Sequence, residues 1–188
     1  MHERTDALSA ALSEVLGAMA QGCDDDADDR LQALLLAAPD NPQLHFLAGA
    51  VGAQRQDYAR AERHWRDALA LASGWRDARF QLGLMYVTLD RPAEAQNLLA
   101  PLAADGEVDA VACYARGLQA ILSGTWADAR FWLERGVIAD VANAPRQADM
   151  QHVQARVEAV LTDSEIDGDN ASSGRLLSIY DRVGRGGA

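Results

Sequence analysis

The feature of this chain that most constrains its fold is a repeat of 34 residues. Three series of positions keep this interval, one occupied by glycine, one by alanine and one by aromatic residues. They are Gly49, Gly83 and Gly117; Ala61, Ala95 and Ala129; and Phe46, Phe80 and Tyr114. A fixed period of this length is typical of stacked helix–turn–helix units. We therefore predict an all-α fold, an α-solenoid of antiparallel helical hairpins.

The residues inside each period resemble the tetratricopeptide repeat (TPR) family. The best-matched unit has a Leu-Gly pair, a tyrosine one turn later, and a small then a large residue on the second helix. These are Leu82, Gly83, Tyr86, Ala95 and Leu99, with Arg79 where the family has an aromatic residue. The glycines and alanines are expected where the two helices of a hairpin cross. The expected N-caps of the second helices are Asp57, Asp90 and Thr125.

The repeat divides the chain into a repeat domain, a linker and a tail. The domain, residues 1–162, has a degenerate unit at about 8–41, repeats at about 42–75, 76–109 and 110–143, and a capping helix at about 145–162. Such arrays need an atypical end unit over the last open face. Residues 163–174 are acidic and small, which predicts a flexible linker. Residues 175–188 form a short amphipathic tail.

The tail has four apolar residues that would share one helix face at i, i+3, i+4 and i+7. They are Leu176, Ile179, Tyr180 and Val183. This pattern is typical of a docking element. It could bind in cis, in a second copy of the chain, or on another protein; a tail with apolar residues by chance is the remaining alternative.

Composition limits the classes of partner. The chain has a net charge of −11, and all 17 of its basic residues are arginine. Such an acidic chain is expected to repel nucleic acid and anionic membranes. Lysine-free, alanine-rich composition suggests a bacterial gene of high GC content. With no apparent signal sequence, and with only Cys23 and Cys113 far apart, we expect a cytoplasmic protein without disulfides. Cys113 is expected in the core.

No catalytic or cofactor motif is evident, so we expect no enzyme activity, no cofactor and no metal. His45 and His64 have no metal-ligand spacing, and a packing or surface role is expected for both. Acidic residues alternate from Asp163, as in a calcium-binding loop. The position of that loop's last, bidentate ligand is Gly174, however, which argues against calcium.

The family resemblance implies that the first helix of each hairpin lines a concave groove. The predicted lining consists of Phe46, Ala50, Ala53, Phe80, Leu84, Val87, Tyr114, Leu118 and Ile121. Packing of the three aromatic residues inside or between hairpins is the alternative. An apolar groove suits an amphipathic helix or an extended segment. We expect a non-catalytic adaptor or chaperone-like module, or alternatively an assembly subunit whose tail recruits or caps a partner complex.

Overall fold

The computed structural model describes residues 2–104, 106 and 109–167 of the 188-residue chain. Within these ranges every regular element is an α-helix, which confirms the predicted all-α helical-repeat class. The helices are α1 (His2–Ala20), α2 (Asp24–Ala37), α3 (Pro42–Gln54), α4 (Tyr58–Leu71), α5 (Arg76–Thr88), α6 (Pro92–Ala104), α7 (Ala110–Leu122), α8 (Trp126–Ala139) and α9 (Ala144–Asp167). In this described part of the chain, no helix is long and apolar enough to cross a membrane.

The chain divides into two compact units. The N-terminal unit ends at Ala78, and the C-terminal unit begins at Arg79, near the start of α5. In the N-terminal unit α2 packs between α1 and α3, and α3 packs on α4. In the C-terminal unit α7 packs between α6 and α8, and α8 packs on α9. Helices adjacent in sequence are therefore adjacent in space, as short connections favour.

One left-handed residue forms each turn within a hairpin, and these residues also recur every 34 positions. They are Gly22, Gln56, Asp90 and Gly124, with φ between 54° and 73°. In every turn the amide of the following residue donates to the carbonyl five residues earlier, at 2.8 to 2.9 Å. This Schellman arrangement satisfies carbonyls at the end of the first helix. The α1–α2 pair thus has the same turn geometry as the three later hairpins.

The residue after each turn begins the second helix. Asp57 caps α4, because its side chain accepts a hydrogen bond of 3.1 Å from the amide of Arg60, as predicted. Thr125 holds the N-cap position of α8 without a side-chain cap bond. The N-cap prediction for Asp90 was wrong, since Asp90 is the left-handed residue of its turn.

Each repeat glycine receives a large side chain from the second helix of its hairpin. A Cβ atom added to the glycine would lie 2.5 to 2.9 Å from that side chain. The pairs are Gly49 with Trp65, Gly83 with Leu99, and Gly117 with Leu133. The receiving residues are again 34 apart, and all three are buried. The predicted close approach at the glycines is confirmed, with a large residue as the partner of each one.

The N-terminal unit contains a buried ion pair between its second and fourth helices. Arg60 on α4 donates two hydrogen bonds to the carboxylate of Asp28 on α2, one of them 2.6 Å from Nη1 to Oδ2. The Asp28 side chain is only 9% exposed and the Arg60 side chain 17%. These hydrogen bonds from Arg60 hold the pKa of Asp28 below its usual 3.8, against the opposing effect of burial.

The C-terminal unit is closed by α9. Its apolar stripe predicted from sequence is buried at Met150, Val153, Val157 and Val160, and α9 packs on α8. The helix continues to Asp167, five residues beyond the predicted end at 162. Residues 163–167 are therefore helical, where a flexible linker was expected. The rest of the predicted linker, and the tail, lie outside the described residues.

We predict that Gly49→Ala destabilises the protein even though alanine has the higher helix propensity. The added methyl group would meet the indole of Trp65, whose Nε1 is held by a 3.1 Å hydrogen bond to the carbonyl of Phe46. Overpacking of this kind costs about 1–3 kcal/mol. Urea unfolding followed by circular dichroism measures the change.

The matched control for this experiment is Gly17→Ala in α1, where nothing lies within 4 Å of the added Cβ. This variant should gain up to about 1 kcal/mol from helix propensity. Equal effects of the two substitutions would contradict the close helix approach at Gly49.

We predict that Asp28→Asn lowers the free energy of unfolding at pH 7 by about 2–3 kcal/mol, because it weakens charged hydrogen bonds in a mostly buried site. The folded-state pKa of Asp28 is depressed, so the carboxylate stabilises the protein above about pH 4 and loses this effect as the pH falls through the folded-state pKa. The deficit of the variant should therefore narrow below pH 4 in urea unfolding series.

The control is Asp26→Asn in the exposed Asp26–Arg30 pair of the same helix, where no measurable change is expected. A deficit for Asp28→Asn that is constant from pH 7 to pH 3 would contradict the role of its charge.

Candidate functional site

The predicted groove residues of the N-terminal unit lie at its surface. Phe46, Ala50 and Ala53 on α3 are all partly exposed. The ring of Phe46 stacks on Trp75, with 4.8 Å between ring centroids and 29° between ring planes. Trp75 is also partly exposed. This unit therefore presents a stacked aromatic pair beside small residues, which we call the α3 face: Phe46, Ala50, Ala53 and Trp75.

The predicted groove residues of the C-terminal unit are mostly buried. Leu84 on α5 is partly exposed. The others are at most 5% exposed, and they are Phe80, Val87, Tyr114, Leu118 and Ile121. Phe80 and Tyr114 lie together, with ring centroids 5.9 Å apart. In the folded unit these five residues belong to the core.

Tyr114 shows why an aromatic residue can be buried at this point of α7. Its ring lies against Gly136 of α8, where a Cβ atom would clash with it. Its hydroxyl has no hydrogen-bond partner of normal geometry. Burial, together with the nearby carboxylate of Asp140, raises the pKa of this hydroxyl far above its usual range. Asp140 is itself held by Arg146, with N–O distances of 2.7 and 2.8 Å.

The two thiols have different environments. Cys113 on α7 is buried, as predicted from sequence, and burial raises the pKa of its thiol. A buried thiol with a raised pKa is poorly reactive. Cys23, at the start of α2, is exposed.

An exposed apolar surface on the C-terminal unit was not predicted. Phe131 and Ile138 on α8 are 50% and 70% exposed, and Val141 just beyond it is 88% exposed. Phe131 and Ile138 are seven residues apart, so they share one helix face. This spacing is visible in the sequence. Its exposure is not, because it depends on which face of α8 is covered by α7 and α9.

The structure also brings together two histidines that are 19 residues apart in sequence. His45 lies one turn before Gly49 on α3, and His64 directly precedes Trp65 on α4. The contact between Gly49 and Trp65 therefore places the two imidazoles side by side, with their Nδ1 atoms 3.1 Å apart. The sequence spacing gave no signal of this pair; only the register between the two helices reveals it.

The four apolar positions predicted for tail docking cannot be placed at either surface. Leu176, Ile179, Tyr180 and Val183 lie outside the described residues.

Comparison with known proteins identifies the fold. No protein-family model and no curated protein sequence matches the chain. Two solved structures are similar to it. One is described as "MamA RS-1 ArsTM double mutant"; it is 16% identical, with a TM-score of 0.59 over 91% of this chain and 93% of that one. The other is "MamA 41-end from Desulfovibrio magneticus RS-1"; it is 17% identical, with a TM-score of 0.58 over 86% of this chain and 97% of that one.

MamA is a TPR-like helical protein. At these identities the similarity concerns the fold alone. The chain therefore has a TPR-like helical-repeat fold, and the resemblance found in the sequence is supported at that level.

Proposed function

We propose that the chain is a non-catalytic protein-interaction module, an adaptor or chaperone-like protein, that binds an apolar peptide or amphipathic helix. The observation that carries the proposal is the α3 face. Helical hairpins in repeat proteins commonly bind other chains with their first helices. On α3, the residues predicted for this role are accessible, and they stand beside a second aromatic residue, Trp75.

The chemistry of the α3 face favours an apolar ligand. Phe46, Ala50 and Ala53 are spaced i, i+4 and i+7, so they form one line along the helix. Large aromatic residues such as Phe46 and Trp75 provide most of the contact energy in many interfaces. The two alanines beside them leave room for a partner's backbone to come close.

The C-terminal unit contributes differently to this proposal. Leu84 is the groove position there that a ligand can reach directly. Because Phe80, Tyr114, Leu118, Val87 and Ile121 are buried, they support the unit from inside, and their substitution would damage folding before it affected binding.

Charge defines the partner further. A chain with a net charge of −11 attracts a segment whose apolar residues are flanked by basic ones. The chain's own tail has this composition, since Arg175, Arg182 and Arg185 surround its four apolar positions and Asp181 is its one acidic residue. A second copy of the chain, or the tail in cis, is therefore a natural first ligand to test. This keeps open the alternative of an assembly subunit that acts through its tail.

We predict that selection from a displayed library of random 16-residue peptides on the full-length protein enriches apolar residues at i, i+3, i+4 and i+7 with basic flanks. Binding of the selected peptides should weaken at least about tenfold in Phe46→Ala, which corresponds to about 1.4 kcal/mol of lost contact energy. Fluorescence anisotropy measures the affinities.

Phe131→Ala is the matched control, because it removes a half-exposed phenylalanine from the other unit. It should leave the affinities unchanged. Absence of enriched peptides, or peptides that lose affinity only in Phe131→Ala, would contradict the α3 face as the binding surface. Thermal unfolding of both variants checks that they fold.

We predict that a labelled peptide of residues 172–188 binds saturably to full-length protein whose own tail carries Ile179→Asp and Tyr180→Asp. The aspartates should prevent the attached tail from competing, since they place charge on its apolar face. Fluorescence anisotropy again gives the affinity, and Phe46→Ala should weaken it. Failure of the peptide to bind, while library peptides do bind, would show that the ligand comes from another protein.

A further inference from the structure

The histidine pair of the N-terminal unit has a third neighbour with metal-binding capacity. The Oδ2 atom of Asp67 lies 3.7 Å from Nδ1 of His45. Nδ1 of His45 lies in turn 3.1 Å from Nδ1 of His64. One ligand atom from each of these three residues lies within 4.8 Å of the other two.

These distances fit a tetrahedral ion. Zinc bonds to histidine nitrogen and carboxylate oxygen at about 2.0–2.2 Å, which separates neighbouring ligand atoms by roughly 3.3 Å. The separations of 3.1 and 3.7 Å from His45 bracket this value. An ion between the three groups would therefore require only small movements of side chains.

A second observation determines which nitrogen of His45 is available. Its Nε2 atom lies 2.8 Å from the carbonyl oxygen of Pro39. A carbonyl can only accept, so Nε2 carries the hydrogen and donates it. The lone pair of neutral His45 is then on Nδ1, the atom that faces His64. A backbone carbonyl that fixes the outer nitrogen in this way is the usual support of a metal-bound histidine.

The backbone holds the other two groups on one face. His64 and Asp67 are three residues apart on α4, so their side chains are neighbours on that helix. Burial lowers the pKa of His64, as do the charges of His45, Arg60 and Arg63, while Asp67 opposes them. A neutral imidazole is the form that binds a metal. Asp67 is 49% exposed, so the cluster can be reached from solvent.

We propose that His45, His64 and Asp67 form a Zn²⁺ site with three protein ligands and a fourth position open to water or to a partner's side chain. Two nitrogens and one carboxylate oxygen suit zinc better than calcium or magnesium, which prefer oxygen ligands alone. The ion would tie α3 to α4 directly beside the α3 face. The site does not depend on the peptide-binding proposal, because its ligands are different side chains.

The test is a calorimetric titration of Zn²⁺ into untagged, chelator-treated, full-length protein. One ion per chain is expected, with a higher melting temperature in its presence. His64→Asn and Asp67→Asn should each weaken binding at least about tenfold, because losing even an outer partner of a ligand typically costs about 10- to 100-fold. Co²⁺ in place of Zn²⁺ should give the visible absorption of a tetrahedral ion.

Two control variants exclude other ligands. His152→Asn removes an exposed histidine from α9, and Cys23→Ser removes the exposed thiol. Neither should change the affinity or the stoichiometry. Asp67→Asn keeps the test decisive should His64→Asn fail to fold, because it alters a half-exposed group.

Three outcomes would overturn the proposal: no heat of binding, binding undiminished in both His64→Asn and Asp67→Asn, or binding lost only in Cys23→Ser. The first would mean that the two imidazoles simply share a hydrogen bond, from Nδ1–H of His64 to Nδ1 of His45.

Discussion

Each hairpin of this protein depends on how closely its two helices approach at one crossing. The first helix offers bare backbone at a glycine, and the second places a large side chain into that space. The left-handed turn brings the two helices to this position, because its backbone hydrogen bonds end the first helix at a fixed point. Residues 34 apart therefore share one environment, and the other contacts of the hairpin follow from this register.

The two units use the same crossing with different side chains, and this difference decides which surfaces remain accessible. In the N-terminal unit the glycine receives the indole of Trp65, which also donates to the carbonyl of Phe46. Five of the 13 residues of α3 are buried, so Phe46 and its neighbours keep an accessible face. In the C-terminal unit ten of the 13 residues of α7 are buried. Its aromatic residue, Tyr114, is therefore part of the core.

The fold could be predicted from sequence because the repeat is imposed by local geometry. Small residues at the crossing and short turns leave a direct pattern at 34-residue spacing. Exposure could not be predicted in the same way, because Phe46 and Tyr114 occupy equivalent positions and differ only in what packs on them. The pairing of His45 with His64 was likewise hidden, since it depends on helix register. The end of α9 was placed too early because acidic composition was read as a linker, although no glycine or proline interrupts the helix before Gly168.

Repeat proteins risk stacking their similar units in a wrong order, and the buried ion pair of the N-terminal unit acts against this error. One period after Asp28 and Arg60 the sequence has Glu62 and Glu94. A chain shifted by one unit would place Asp28 opposite Glu94 and leave two like charges together away from water, at a large cost in free energy. The ion pair thus marks one interface as unique among equivalent ones. It would disfavour exchange of hairpins between copies of the chain as well as misfolding within a single copy.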